Sequence, residues 1–245
     1  MNKERVEGDF GFSLGRFEPV VEDFFPLSER DQQIVDDFHR LYFRLNEKKP
    51  GLLLSWLGYQ TGKLPSDLWV YQELMFKLRP DLIIECGTHR GGSALFLSNM
   101  CQLLDCGRVV TVDLYPKENR PSHELLTYIQ GSSIDPSTFA QVRSHVKGGD
   151  IVLVILDSDH SEEHVSQELS LYSQLVTVGS YLVVEDTFLN GHPSHHEFGP
   201  GPMEALRQFD ADNKHFIIDR GWEKFLFTLN RSGFFKRISD AQSED

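Results

Sequence analysis

The sequence places three acidic residues directly after two apolar segments that read as buried strands. Asp157 ends the segment DIVLVILD, and Glu185 and Asp186 end the segment SYLVVED. Three carboxylates in one crevice repel one another unless a cation or protons compensate their charge. Oxygen ligands favour a hard cation, so the pattern predicts a Mg²⁺ site at Asp157, Glu185 and Asp186, with Ca²⁺ as the alternative ion. The other interpretation is that the three acids are simply solvated at the ends of their strands.

A histidine follows the first of these acids by three residues. His160 stands in the sequence Asp157-Ser-Asp-His160. A metal ion acidifies a bound hydroxyl, and a neutral imidazole nearby can take its proton near pH 7. His160 is therefore the candidate catalytic general base. The alternative is that it only occupies the first turn of the following helix.

A glycine-rich turn after an earlier apolar segment indicates which cofactor the site would hold. Between Glu85 and Ser93, His89 stands where a dinucleotide fingerprint needs its second glycine, and no Gly-Lys-Ser/Thr follows. Backbone N–H groups at the helix start can bind a carboxylate, and Glu85 can bind an ammonium group. Asp113, at the end of the next strand, is placed to bind both hydroxyls of a ribose. A ligand with these groups and no phosphate is S-adenosylmethionine, and the alternative is a plain turn between strand and helix.

The candidate cofactor-binding residues all lie at the ends of predicted strands. They are Glu85, Gly87, Thr88, Gly91, Ser93, Asp113, Ser132, Ser133 and Asp157. Doubly wound α/β proteins bind ligands beyond the carboxyl ends of their strands. The cofactor and the metal are therefore expected to share one crevice.

Five short apolar segments between residues 81 and 186 must position these side chains. They are DLIIEC, RVVTVD, LLTYIQ, DIVLVILD and SYLVVED, with amphipathic stretches between them. Strands that are apolar without alternation are buried on both faces, as in a parallel sheet covered by helices. The sequence thus predicts an α/β fold with a doubly wound, Rossmann-like and mostly parallel sheet. HFIID (215–219) and FLFTLN (225–230) predict an antiparallel C-terminal hairpin at the sheet edge.

Residues 1–65 precede this pattern and are predicted to form an N-terminal extension to a domain at 66–245. A capping box begins at Ser28, and Ser66 is the expected cap of a second helix. Apolar residues with helical spacing follow the capping box, namely Ile34, Phe38, Leu41 and Leu45. We expect the tail, helix and loop of 1–65 to shape a substrate pocket, and the loop 187–201 to act as a lid.

Composition limits the partners and the location. The 245 residues include 24 Lys+Arg and 37 Asp+Glu, for a net charge of −13, which argues against nucleic acid or an anionic membrane as partner. The longest strongly apolar run, Ile151 to Leu156, is far shorter than the roughly 20 residues of a spanning helix. The first residues lack the apolar segment of a secretory signal, and three cysteines form no CxxC pair. We therefore expect a cytoplasmic protein that acts on a small molecule, as a monomer or as a homo-oligomer.

The chain from Trp56 to its end resembles the cephalosporin hydroxylase and rhamnosyl O-methyltransferase family of S-adenosylmethionine-dependent enzymes. It is also similar to macrolide sugar O-methyltransferases and, more distantly, to catechol O-methyltransferase. The matching motifs are Asp67-Leu-Trp-Val-Tyr-Gln-Glu73, Glu85-x-Gly87-x-x-x-Gly91-Gly-Ser93, Asp157-x-x-His160, Glu185-Asp186-Thr187, Gly199-Pro-Gly-Pro202, and Asp219-Arg220 with Glu223-Lys-Phe225. The resemblance implies a class I methyltransferase fold, a magnesium ion held by the three acids and His160 as general base.

These observations predict a Mg²⁺-dependent O-methyltransferase that acts on a hydroxyl of a sugar or natural-product intermediate. Two other functions stay open at this stage. A metal-dependent oxygenase is one, because His160-x-Glu162 and His195-x-Glu197 each mimic part of an iron site. A non-catalytic S-adenosylmethionine-binding protein is the other. The sequence from His160 to His164 also spells the H-x-x-E-H of certain zinc peptidases.

Overall fold

A computed structural model describes residues 25–47 and 54–240 of the chain. The helices are α1 (Glu29–Glu47), α2 (Pro65–Leu78), α3 (Gly92–Leu103), α4 (Pro136–Arg143), α5 (Glu162–Tyr172) and α6 (Pro202–Asp212). The strands are β1 (Ser55–Trp56), β2 (Tyr59–Gln60), β3 (Leu82–Cys86), β4 (Val109–Asp113), β5 (Leu126–Gln130), β6 (Val152–Leu156), β7 (Tyr181–Val184), β8 (Phe216–Ile218) and β9 (Phe234–Arg237). The predicted tail of residues 1–24 and the loop residues 48–53 lie outside the described residues.

Seven of these strands form one sheet in the order β5-β4-β3-β6-β7-β9-β8. The strands from β3 to β7 are parallel, whereas β9 runs antiparallel to both β7 and β8. This confirms the doubly wound, mostly parallel fold with an antiparallel edge. The chain passes from β3 to β4 on one side and later to β6 on the other, so a crevice opens beyond the carboxyl end of β3.

The sheet is buried on both faces, which explains the continuous apolar segments. On one face, Leu82, Val154 and Leu156 pack in a core with residues of α5 and α6. On the other, Ile83 and Ile155 pack in a second core with residues of α2 and α3. Successive strand residues point to opposite faces, so every position in β3 and β6 has to be apolar or satisfied internally.

The second strand of the predicted edge hairpin was misplaced. FLFTLN (225–230) is a loop, and the strand beside β8 is β9. Phe227 packs against Phe38 and His39 of α1, and the backbone N–H of Leu229 donates to the Asp67 carboxylate at 3.0 Å. The apolar residues of this segment therefore serve packing against helices, which a strand-like pattern does not distinguish from pairing in a sheet.

The start of α2 differs from the sequence prediction in detail. Helix α2 is preceded by Leu64 as its cap residue and begins at Pro65, so Ser66 lies inside the first turn and donates to the carbonyl of Phe227 at 2.8 Å. Helix α1 forms as predicted, but its regular apolar stripe faces outward. The exposed stripe consists of Ile34, Phe38, Leu41 and Leu45.

The inner side of α1 carries His39, Tyr42 and Phe43 instead. Phe43 stacks on Phe188 with ring centroids 4.3 Å apart. Tyr42 meets the ring of Phe227 edge-on. The N-terminal helix is thereby packed on the segments that follow β7 and precede β9. Among the described helices, none is both long and apolar enough to cross a membrane.

Candidate active site

Asp157, His160 and Asp186 converge beyond the carboxyl ends of β6 and β7. Nε2 of His160 lies 3.3 Å from Oδ1 of Asp157 and 3.2 Å from Oδ2 of Asp186. One potential ligand atom from each of the three residues lies within 4.8 Å of the others, so a single ion could contact all three. The structure therefore brings together two of the three predicted metal ligands, with the predicted base between them.

Glu185, the third predicted ligand, has a different set of neighbours. Its Oε1 accepts a hydrogen bond from the Tyr71 hydroxyl at 2.6 Å and lies 2.7 Å from Nζ of Lys63. The same ammonium group donates to Oδ2 of Asp157 at 2.7 Å. Glu185 thus lies at the buried inner edge of the site and is linked to Asp157 through Lys63.

Sequence reasoning missed both Lys63 and Tyr71. Tyr71 lies in the motif Asp67-Leu-Trp-Val-Tyr-Gln-Glu73 without a predicted role in the site, and its hydroxyl reaches Glu185 from 114 positions away in the chain. One signal was present for Lys63, because it is the only charged residue in the segment 50–66. A lone lysine among apolar and small residues needs an acidic partner if it is buried.

The charges of this cluster are strongly coupled. Burial opposes ionisation of Asp157, but Lys63 and His160 outweigh it and lower the pKa of that carboxyl. Burial favours the neutral imidazole of His160, but its hydrogen bond to Asp157 and the charge of Asp186 raise its pKa to about 9. Burial, reinforced by the charge of Asp157, raises the pKa of both Glu185 and Asp186. The acids thus compete for positive charge, as expected of a cation site.

Two backbone features bring the acids into position. Gly87 has φ +101, and a Cβ there would lie 1.7 Å from the carbonyl oxygen of Asp157. Only glycine therefore lets the turn after β3 approach the end of β6 so closely. Asp186 has a left-handed φ of 54°, which is uncommon outside glycine. This turn lets the consecutive residues Glu185 and Asp186 reach different partners.

A cavity of about 400 Å³ lies beside the acids, at the switch in strand order. Its lining includes five of the predicted cofactor residues, namely Gly87, Asp113, Ser132, Ser133 and Asp157. The other four, Glu85, Thr88, Gly91 and Ser93, do not line it. The sequence prediction did not include His89, Tyr115, Lys117 or Ser158, which also line the cavity.

Asp113 projects into this cavity with its carboxylate fixed by three donors. Oδ2 accepts from the backbone N–H of His89 at 2.6 Å and from Arg120 at 2.9 Å, and Oδ1 accepts from the N–H of Tyr115 at 2.8 Å. A carboxylate can accept about four hydrogen bonds, so some capacity for a ligand hydroxyl is left. Arg120, which the sequence analysis did not single out, holds the predicted ribose-binding acid in place.

Glu85 and Thr88 lie behind the cavity wall. Glu85 is fully buried, and burial raises its pKa. The Thr111 hydroxyl donates to its Oε2 at 2.7 Å and shares a 2.7 Å hydrogen bond with Thr88, whereas Oε1 has no well-formed partner in the described chain. An acid with one unsatisfied oxygen suits a nearby cationic group better than it suits an apolar core.

The zinc alternative finds no support in this geometry, and neither Glu162 nor Glu197 of the iron alternative belongs to the converging group found in the described part of the chain. Nε2 of His164 lies 3.0 Å from the Ser133 hydroxyl and 3.6 Å from the Glu168 carboxylate, away from the group around His160. Across residues 25–47 and 54–240, the cluster of Asp157, His160 and Asp186 is the one group of this kind with converging ligand atoms. The H-x-x-E-H sequence therefore does not build a metal site.

Comparisons with known proteins agree with the fold and the motifs. The model of the family "Rhamnosyl O-methyltransferase/CmcI" matches residues 52–238. A rhamnosyl O-methyltransferase of Mycobacterium leprae (strain TN) is 37% identical over 214 residues, which cover 83% of this chain and 90% of the relative. One of Mycobacterium bovis (strain BCG / Pasteur 1173P2) is 37% identical over 221 residues, which cover 83% and 85%.

Solved structures share the fold at lower sequence identity. The apo structure of CmcI-N160 has a TM-score of 0.59 and 23% identity, covering 76% of this chain and 77% of that one. The structure of CmcI-D160 with Mg and SAM has a TM-score of 0.57 and 21% identity, with coverage of 76% and 77%. Because the family match spans most of the chain and the Mycobacterium sequences align along most of their length, this chain belongs to the Rhamnosyl O-methyltransferase/CmcI family and is an O-methyltransferase.

Proposed function

We propose that this O-methyltransferase moves a methyl group from S-adenosylmethionine to a sugar hydroxyl in a Mg²⁺-dependent reaction, with His160 as general base. The convergence of Asp157, His160 and Asp186 at the rim of the 400 Å³ cavity carries the proposal. A site for a hard cation, a proton acceptor and a cofactor cavity then meet at one edge of the sheet. Metal-assisted methyl transfer to an oxygen needs these three functions within reach of one another.

The donor set fits a magnesium ion. Asp157 and Asp186 offer carboxylate oxygens, which are ligands that Mg²⁺ prefers. Burial, together with the charge of Asp157, raises the pKa of Asp186, and a cation bound there would stabilise its ionised form. When bound, the ion would orient the acceptor and make its hydroxyl more acidic. The structural relative CmcI-D160 was solved with Mg and SAM, which supports the same pair of cofactors here. The role of Glu185 in this proposal is to support the site from its buried side, through Lys63.

The cavity fits S-adenosylmethionine. Asp113 would accept hydrogen bonds from the ribose hydroxyls, and Gly87, which lines the same cavity without a side chain, would lie beside the methionine portion. Ser132 and Ser133 line the same cavity and would contact the adenine of the cofactor. Glu85, which is fully buried behind the wall of the cavity, would act on the cofactor's ammonium group through its charge.

His160 is placed to hold the proton that the acceptor loses. Its Nε2 is the ring nitrogen that faces the two acids, so a hydroxyl oriented at those acids would lie within its reach. The imidazole has to be neutral to accept a proton. Compensation of the charges on Asp157 and Asp186 would lower its raised pKa toward the working range.

The N-terminal segment is proposed to shape the acceptor side of the site. Helix α1 packs on Phe188, two residues after Asp186, and the Arg40 guanidinium donates to the carbonyl of Pro193 at 3.3 Å. The loop 187–201 is anchored by Glu204, which accepts hydrogen bonds from His192 and Asn190. We therefore assign the acceptor-binding region to the extension at 1–65 and to the loop 187–201, which would act as a lid.

The acceptor class follows from the family. The relatives in Mycobacterium are named for a rhamnosyl group, so we propose a deoxysugar unit of a glycoside as the acceptor. Cys86, Cys101 and Cys106 are free thiols, which supports the proposed cytoplasmic location. The test is to incubate the protein with radiolabelled S-adenosylmethionine, Mg²⁺ and a panel of rhamnosides and other glycosides. Labelled methyl ether on a rhamnoside supports the proposal, and label on none of the glycosides contradicts the acceptor class.

A further inference from the structure

Lys63 is a buried cation that the segment before α2 delivers to the metal acids. The hairpin of β1 and β2 precedes it, and Leu64 and Pro65 start α2 directly after it. The backbone N–H of Thr61 donates to the carbonyl of Leu54 at 3.0 Å, which closes the loop before Gly62. The hairpin before Lys63 and the helix after it therefore fix its backbone position. The residue is only 1% exposed, so its ammonium group is shielded from bulk water.

The ammonium group joins the two strands that carry the acids. Nζ lies 2.7 Å from Oδ2 of Asp157, after β6, and 2.7 Å from Oε1 of Glu185, after β7. This contact takes Oδ2 of Asp157 and leaves Oδ1 on the side of His160. In the described chain, no arginine and no other lysine pairs with either acid. Lys63 therefore decides which oxygen of Asp157 faces the cation site.

Lys63 also compensates the negative charge of the buried acids, which would otherwise destabilise the folded protein. Glu85, Asp157 and Glu185 all act on its ammonium group, and Asp186 is adjacent. Removing the partner of a buried acid strongly destabilises the folded protein, because an uncompensated charge is left in its interior. With Lys63 present, the cluster is held together whether or not a divalent cation is bound.

We propose that Lys63 is a positioning residue, a fixed cation that orients Asp157 for metal binding and holds the acidic cluster together in the metal-free protein. This inference rests on the proposed metal site at Asp157 and Asp186. It assigns a role in the reaction to the N-terminal segment, because the residue that aligns the acids comes from outside the parallel sheet. Outer partners of metal ligands typically change metal affinity or activity by about 10- to 100-fold.

The test compares Lys63→Met with wild type by thermal unfolding in excess chelator and in Mg²⁺, and by calorimetric titration of Mg²⁺. We expect Lys63→Met to lower the metal-free Tm by about 10 °C, as for a broken buried ion pair. Calorimetry should show that the variant binds Mg²⁺ about 10- to 100-fold more weakly than wild type. Mg²⁺ should therefore raise its Tm by less than it raises that of wild type. Turnover in saturating Mg²⁺ should fall about 10-fold or more, and Lys63→Arg should recover part of it.

Tyr71→Phe is the matched control, because it removes the other donor to Glu185 without changing charge. It should lower the Tm equally with and without Mg²⁺. If Lys63→Met is not folded in either condition, the double variant Lys63→Met/Glu185→Gln tests the charge-balancing role, because it also removes one of the negative charges that Lys63 compensates. Recovery of metal-free folding supports the charge-balancing role, and no recovery overturns it.

The outcomes separate this inference from the proposed function. Equal Mg²⁺-induced Tm shifts in Lys63→Met and wild type, with unchanged turnover, would overturn the role of Lys63 while leaving the metal site intact. Absence of Mg²⁺ binding to the wild-type protein contradicts the metal site itself, and the inference falls with it.

Discussion

His160 is the residue on which proton transfer depends in the proposed reaction. Replacing it with Gln keeps a hydrogen-bonding group beside Asp157 and Asp186 but removes the ability to accept a proton. We expect His160→Gln to lower kcat by about 10²- to 10⁴-fold, the usual contribution of a general base. Steady-state kinetics at saturating cofactor would measure this loss.

The affinity for S-adenosylmethionine provides the control for this variant. His160 does not line the cofactor cavity, so its replacement should leave that affinity unchanged. Near-normal turnover of His160→Gln would show that His160 serves only the start of α5 and that the base lies elsewhere. A matching loss of cofactor affinity would indicate a collapsed site and not a missing base.

Asp113 carries the prediction for the cofactor. Asp113→Ala should weaken S-adenosylmethionine binding by about 1–3 kcal/mol, because a charge-assisted hydrogen bond to the ribose is lost. Asp135→Ala is the matched control, since Asp135 caps α4 through the N–H groups of Ser137 and Thr138. Calorimetry on both variants tests the assignment. Unchanged affinity in a folded Asp113→Ala protein rules out the ribose role.

At the residue scale, the sequence predicted what each strand end carries but not how its side chains are oriented. Asp157, His160 and Asp186 could be placed at one edge because parallel strands end together. The partners of Glu185 could not be predicted, because Lys63 and Tyr71 lie more than 100 positions earlier in the chain. A contact of that sequence separation leaves no periodic signal in a single sequence.

At the scale of elements, helix α1 is attached to the domain through a buried histidine. His39 is fully buried against Phe227, with ring centroids 4.6 Å apart. Burial and the nearby charge of Arg231 lower its pKa to about 4, although Asp36 opposes this. The folded protein thus keeps His39 neutral in a pH range in which the unfolded chain binds a proton.

This difference predicts acid-sensitive stability. Between pH 6.5 and 4 the unfolded state holds more protons at His39, so the stability present above pH 6.5 is lost as the pH falls. The contribution is about 3 kcal/mol, from roughly 1.4 kcal/mol per pKa unit. We expect His39→Leu to lose less stability than wild type over this range, measured by urea unfolding at several pH values. Parallel pH profiles of the two proteins would contradict the assignment.

Two segments differ from what their apolar patterns suggest, and the cause is the same in both. In α1 the regular apolar stripe faces outward, and the loop at 225–230 reads like a strand. Both were judged from periodicity, which reports what a segment could bury and not which partner the fold provides. Phe227 of this loop is half-buried and packs against α1, so both features occur at one contact, between segments nearly 190 residues apart. The five parallel strands were predicted correctly because burial on both faces leaves few alternatives.

At the scale of the whole molecule, the sheet collects acids from separate parts of the chain into one crevice. The net charge of −13 adds a field that favours cations and disfavours anionic partners. Some residues of the family motifs lie outside the crevice, where they form ion pairs that hold neighbouring segments together. The Lys224 ammonium pairs with Glu73 of α2, and Arg220 pairs with Glu223 at 3.0 Å. The family motifs therefore divide into a reacting edge and the contacts that hold α2 and the C-terminal segment around it.

The proposed reaction depends most directly on a metal requirement located at Asp186. Asn tolerates the left-handed backbone of this position, so Asp186→Asn removes a negative charge and a strong metal ligand with little strain. The decisive measurement is methyl transfer from labelled S-adenosylmethionine to a rhamnoside acceptor, by wild type and Asp186→Asn, in excess chelator and after addition of Mg²⁺. We predict no transfer by wild type in chelator, recovery with Mg²⁺, and no recovery in the folded variant. Full wild-type activity in chelator, in protein shown by elemental analysis to be metal-free, would contradict the central claim.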